Sequence, residues 1–247
     1  MNIHIISVFP GAFNGPLDES IIKRAQNKGL VRFYIHDLRE FTTDKHHQVD
    51  DYPYGGGPGM VLKPEPIFSA LEHVISQIPE QASKQLIFLT PQGHPYNQRK
   101  ALQLCEVENL VFLCGHYKAV DERVRDFWPM EEISIGDYVL TGGELPALVI
   151  IDSVIRLIPG VISDLNSATT DSFYDDNLLD CPYYTRPEEY RGMKVPGVLL
   201  SGHHAEIDKW RKQKSVERTL SIRRDLISPE RLINLKKDVD LGGLVNE

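Results

Sequence analysis

The chain has 247 residues, 41% of them hydrophobic and 25% charged, with no low-complexity tract and no internal repeat, so it is neither fibrous nor disordered. That length admits one large α/β domain, or one of about 160 residues with a smaller appendage. A formal net charge of −8 counts against a uniformly nucleic-acid-coating surface but leaves room for a local basic patch, and three cysteines without C-x-x-C spacing count against a disulfide framework or a zinc site.

The N-terminus, MNIHIISVFPG, has no basic leader region, and no run reaches the roughly 18 apolar residues of a membrane span. A cytoplasmic protein with free thiols is expected. Asn2 to Val8 reads as a strand that turns at Pro10-Gly11, and Phe13 to Lys28 has helical spacing (Leu17, Ile21, Ile22, Ala25) closed by Gly29. A second strand runs from Leu30 to Ile35. Asp37 to Pro64 is then polar and too long for an ordinary connection, which points to a functional loop. Its centre, DDYPYGGGPGM, contains Gly55, Gly56, Gly57, Pro58 and Gly59, which have no helical or strand future. The stretch matches neither the phosphate loop nor the dinucleotide fingerprint, and a backbone this bare can lie against a base or a sugar; a simple lid is the plainer alternative.

Helices over Pro66–Gln77 and Asn97–Cys105 alternate with strands over Gln85–Thr90 and Leu110–Cys114. This βαβ-like alternation predicts an α/β fold with a mostly parallel sheet. A helix start follows at Asp121-Glu122-Arg123. Next comes ISIGDYVLTGGELP (133–146): a strand that pauses at Gly136-Asp137, resumes at Tyr138 to Leu140 and breaks at Thr141-Gly142-Gly143. The helix after it opens with Glu144 at the positive end of its dipole, carries Pro146 in the first turn and ends at Pro159-Gly160. LIFLTPQG (86–93) and VFLCGHY (111–117) share this grammar of apolar run, small or kinked residue, then polar residues. In open α/β sheets the ligand crevice lies beyond the carboxyl ends of the strands, so the three loops are expected to line one pocket.

Val161 to Asp180 is rich in Ser, Asn, Thr and Asp and reads as a linker; a Pro- and Tyr-rich stretch and two helices, about His203–Arg224 and Pro229–Lys237, form a small helical domain. The expected division is 1–160, 161–180 and 181–247. Lys209 to Arg224 holds seven basic residues against one acidic, Glu217, which suits phosphates as well as it suits a plain solvated helix. Asp171 is a candidate general base or simply a cap, and Arg156, alone in the apolar run VIIDSVIRLIPG, needs an anionic or carbonyl partner. Adjacent His203 and His204 beside Glu206 lack the i, i+4 spacing of a zinc helix, so no protein-held metal is expected.

Taken together, PYGGGPGM (53–60), LTPQG (89–93), CGHY…DER (114–123), SIGDYVLTGGELPA (134–147), DSF (171–173), LLDCPYYTRP (178–187) and SGHHAEIDKWR (201–211) resemble the bacterial tRNA (guanine-N1)-methyltransferases of the TrmD family, within the SPOUT class, over essentially the whole chain. The resemblance implies a deep trefoil knot in the first domain, a small helical tRNA-binding domain and a homodimer whose active site is shared between subunits. It implies a methyl group moved from S-adenosylmethionine to N1 of guanosine 37 in tRNA when position 36 is also G, with magnesium required but not held by a recognisable protein site.

The cofactor would rest on Leu89, Thr90, Pro91, Gly115, His116, Tyr117, Ile135, Gly136, Asp137, Tyr138, Val139, Leu140, Gly142, Gly143 and Pro146. Asp171 would be the base and Arg156 its partner, with Gly55 to Gly59, Ser172, Lys209, Arg211, Lys212 and Lys214 on the tRNA. One departure is Lys118, where the family pattern CGRYEGxDER has an acid. A lysine directed into the pocket would weaken cofactor binding, and one directed to solvent or RNA would not. The rival readings are a ribose 2′-O-methylating SPOUT enzyme, a non-catalytic RNA-binding relative and a nucleotide-dependent oxidoreductase.

Overall fold

The computed structural model describes residues 1–162, 171–174 and 178–238. The chain divides into two compact units, Met1–Leu165 and Asn166–Glu247. In the first, β1 (Asn2–Ser7), β2 (Arg32–Asp37), β5 (Lys84–Pro95), β6 (Asn109–Cys114) and β8 (Glu131–Ser134) form a five-stranded sheet in the order β2-β1-β6-β5-β8, with every pairing parallel. The central β6 is buried at all six positions, as a strand covered on both faces must be.

Helix α2 (Pro64–Gln77) packs Ile67, Leu71 and Val74 into a core with Ile6, Phe88, Val111 and Leu113. Helices α1 (Ser20–Asn27), α3 (Gln98–Cys105) and α5 (Glu144–Ile155) form a second group, in which α5 contacts α1, α3 and β6. Asn97 caps α3 by accepting the Lys100 amide at 3.0 Å.

Three local expectations are corrected. The helix expected from Phe13 starts only at Ser20, because Gly15 takes a positive φ of 88° and Pro16 opens a separate short 3-10 turn. Strand β5 does not stop at Thr90: Leu89 and His94 both pair with Ile133, so Thr90 to Gly93 bulge outward and the strand resumes to Pro95. Tyr138 to Leu140 is not a strand. Among the described residues no strand takes its backbone, the Tyr138 amide turns back onto the Gly136 carbonyl at 2.9 Å, and the three side chains are exposed.

The long loop is tied down at both ends. β3 (Asp50–Asp51) pairs antiparallel with β4 (Val61–Leu62), which pairs parallel with β7 (Ala119–Val120), just before the short helix α4 (Glu122–Phe127). Within the loop Gly55, Gly56, Gly57 and Gly59 all have positive φ, a conformation that glycine alone adopts without strain.

The second unit has its own core of Leu178, Val216, Ile227 and Leu235, with Leu220 and Leu232 against it. Its elements are a two-stranded hairpin (Glu189–Tyr190 with Met193–Lys194) and helices over Gly197–Leu200, His204–Ile222 and Pro229–Asp238. Leu178 and its neighbours join this unit: the Leu179 amide donates to Thr219 Oγ1 at 2.9 Å, and Arg218 donates to the Asp180 carbonyl at 3.1 Å. Of the segment read as a linker, residues 163–170 and 175–177 lie outside the described residues, as does 239–247 of the helical domain.

Candidate active site

Beyond the carboxyl ends of β6 and β8, and beside the bulge of β5, lies a cavity of about 690 Å³, counted out to its open mouth. Each strand delivers one wall. β5 supplies Leu89, Thr90 and Pro91 at the start of its bulge; β6 supplies Gly115, His116 and Tyr117; the loop after β8 supplies Ile135, Gly136, Tyr138, Val139 and Leu140, and then Gly142, Gly143 and Pro146. These are fourteen of the fifteen residues expected to gather there. Asp137, the fifteenth, is exposed and takes no part in the lining.

Two of the walls cross with almost nothing between them. The Gly143 amide donates to the Gly115 carbonyl at 2.8 Å, and His116 and Gly142 form an isolated antiparallel bridge. A Cβ on Gly143 would stand 2.7 Å from Cys114 Cα, so no side chain fits at that crossing. Beside it Cys114 is fully buried, and burial first, then the nearby Glu144 charge, pushes its thiol well up. Cys114 is therefore a packing residue rather than a nucleophile.

The wall also holds residues that the sequence pattern did not single out: Phe88, Ala119, Val120, Ile133, Ser134 and Thr141. Lys118 lines the cavity too. It is exposed at the rim, its amide bonds the Met60 carbonyl at 2.9 Å, and its Cβ lies 3.1 Å from where a Cβ on Gly59 would be. The departure therefore sits where the glycine-rich loop returns to the pocket. The rest of that loop is exposed, with open space around Gly55, Gly56 and Gly57.

Arg156 caps the C-terminus of α5 rather than sitting inside it; it is half-buried, and its amide bonds the Asp152 carbonyl at 3.3 Å. Asp171 opens a turn in which its carbonyl accepts the Tyr174 amide at 3.3 Å, and Ser172 Oγ accepts the Asp180 amide at 2.9 Å. Arg156 belongs to the first unit and Asp171 to the second. On helix His204–Ile222, Lys209 and Arg211 are exposed, Arg211 lies 3.6 Å from Asp208, and Lys214 is held 2.5 Å from Glu217. Among the described residues no group of three or more His, Cys, Asp or Glu side chains could hold a metal ion, and no helix is long and apolar enough to cross a membrane.

Residues 1–229 match the profile of the tRNA (Guanine-1)-methyltransferase family TrmD. The chain belongs to that family. It is similar to proteins named tRNA (guanine-N(1)-)-methyltransferase from Anoxybacillus flavithermus and Geobacillus kaustophilus, each 52% identical over 237 residues that cover 96% of both chains. A third, from Carboxydothermus hydrogenoformans, is 53% identical over 96% of this chain and 91% of its own. The TrmD family is a family of enzymes that modify tRNA, and the cavity between the three loops is this member's candidate active site.

Proposed function

We propose that this chain transfers the methyl group of S-adenosylmethionine to N1 of guanosine 37 in tRNA, beside the anticodon, when position 36 is also G. The observation that carries the reading is the convergence of three glycine-bearing loops on one cavity, in a chain half identical to named guanine-N1 methyltransferases. The cavity residues suit the cofactor. The backbone of Gly115, Gly142 and Gly143 lines the cavity beside the apolar Leu89, Ile133, Leu140 and Pro146, a combination that suits a flat, partly apolar ligand. When bound, S-adenosylmethionine supplies an electrophilic methyl group on a sulfonium.

The protein's task is the proton. Guanine N1 carries one at neutral pH, so it becomes a nucleophile only as a base removes it. Asp171 is assigned that role. Negative charge then builds on O6, and the Arg156 guanidinium is assigned to donate to it. Ser172 and the Gly55 to Gly59 loop would hold the guanosine, and Lys209, Arg211, Lys212 and Lys214 the tRNA phosphates. Magnesium, if required, would come with the tRNA.

The chain is read as a cytoplasmic homodimer with a trefoil-knotted first domain. Supporting the knot, the 142–143 segment crosses directly against 114–116. Supporting the dimer, α5 exposes Leu145 (57%) and Val149 (48%) one turn apart, and the loop before it exposes Val139 (84%), an apolar face suited to a second copy. Cofactor and base would then come from opposite subunits.

The test is transfer of labelled methyl from S-adenosylmethionine to an unmodified tRNA transcript with guanosine at 36 and 37, beside one with adenosine at 37. Methylation of the first alone, mapped to N1, is expected. Transfer to both transcripts, or to a ribose hydroxyl, would refute the reading.

A further inference from the structure

Behind the cavity wall lies a polar assembly that reaches back to the first strand. Glu144, the first residue of α5, is 7% exposed, and Ser7, the last residue of β1, is fully buried. Ser7 Oγ accepts the Phe9 amide at 2.8 Å, which directs its own proton to Glu144 Oε1 at 2.6 Å. Phe9 in turn packs on the His116 ring with centroids 4.5 Å apart, and Tyr117 meets that ring edge-on at 5.0 Å. His116 is thus held between two aromatic rings. Its Nδ1 is buried, makes no hydrogen bond among the described residues and lies 3.8 Å from Glu144 Oε2, too far for one.

Gly142, a residue of the cavity wall, closes this gap. A Cβ there would collide with Glu144 Oε2 and stand 2.5 Å from His116 Nδ1. Only bare backbone therefore separates the second carboxylate oxygen from the cavity side of the wall. Ser7 satisfies Oε1 alone, and Oε2 has no hydrogen-bond donor among the described residues. The Oε2 charge is therefore open to a cation on the cavity side as well as to the His116 ring beside it.

We infer that Glu144, oriented by Ser7, is a positioning residue that supplies the cavity with its counter-charge, so that the site prefers a sulfonium ligand to the neutral thioether left after methyl transfer. The inference rests on the reading that the cavity takes S-adenosylmethionine. It adds a consequence for turnover: the product has lost the charge that Glu144 attracts and leaves more readily. Because the sulfonium charge fades as the methyl group leaves, the attraction stabilises bound cofactor at least as much as the transition state, so its loss raises KM without lowering kcat.

The experiment is calorimetric titration of the full chain with S-adenosylmethionine and with S-adenosylhomocysteine, for wild type and for Glu144→Gln, which keeps the shape and the Ser7 contact but removes the charge. Glu144→Gln is expected to weaken the sulfonium ligand about tenfold relative to the thioether, and to raise KM without lowering kcat. An unchanged ratio of the two affinities overturns the inference and leaves the proposed function standing. A wild-type chain that binds neither ligand overturns both. If Glu144→Gln does not fold, wild type decides with the analogue that carries an amine in place of the sulfonium. Preference for that cation over the thioether by about tenfold supports Glu144 as counter-charge, and equal affinity removes it.

Discussion

Gly143 donates its amide to the carbonyl of Gly115 at 2.8 Å, and a Cβ added to Gly143 would fall 2.7 Å from the backbone of Cys114. Two chain segments are thereby pressed together at the base of the cavity. Gly143→Ala must push them apart, whereas Gly56→Ala meets open space and only the strain of a φ of 76°. The first is expected to weaken S-adenosylmethionine binding by tenfold or more and to lower the melting temperature; the second should leave cofactor affinity within about twofold. Equal cofactor affinities for the two variants would show that the crossing does not shape the pocket.

Asp171→Ala should lower kcat by about a hundredfold or more while cofactor still binds, since general-base catalysis contributes on that scale. Mixing this variant with a Gly115→Val chain should restore part of the activity if cofactor and base come from different subunits. Activity no greater than the sum of the separate variants would argue for sites complete within one chain.

His4 Nδ1 and His36 Nε2 are 3.2 Å apart, the two rings stack, and His73 meets His36 edge-on at 6.1 Å. Burial lowers the basicity of His4. Burial, followed by repulsion from His4 and His73, lowers His36 to about 4. Both stay neutral in the folded chain below the pH, about 6.5, at which they charge in the unfolded one, so the unfolded state binds more protons and stability falls as the pH drops from 6.5 toward 4. Discounted for the solvent that His36 meets, the loss is about 1–2 kcal/mol. Thermal unfolding followed from pH 7 to pH 4.5 should show it, and His36→Asn should flatten the curve. An identical slope in the variant would assign the acid sensitivity elsewhere.

Lys209→Ala combined with Lys212→Ala should weaken tRNA binding and make the slope of log K against log salt shallower by about 1–2. Methyl transfer to a short anticodon stem-loop should change less. An unchanged salt slope would mean that this helix face does not meet phosphate.

The three cavity loops were legible because parallel strands buried on both faces leave continuous apolar runs such as Val111 to Cys114, and the chain must turn where each run ends. Tyr138 to Leu140 carried the same local signature and misled, since whether an apolar triplet becomes a strand depends on a neighbour that the local pattern does not contain. β3, β4 and β7, each two residues long, leave no periodicity at all, and β7 finds its partner β4 nearly sixty residues earlier. The bond from Ser7 to Glu144 spans 137 positions, and nothing near either residue announces it. Arg156 stood out as a charge in an apolar run, but its place at a helix end was set by where α5 stops.

The small β3-β4-β7 ladder joins two things that the sheet alone would leave separate. Val61 pairs with Ala119 directly after Lys118, so the return of the glycine-rich loop and the exit from the cavity wall are laced into one strip. An occupant that stiffened one end of that strip would take freedom from the other. Two ligands, one in the cavity and one beneath the loop, would then share a single entropic cost, and whichever arrives first leaves less for the second to meet.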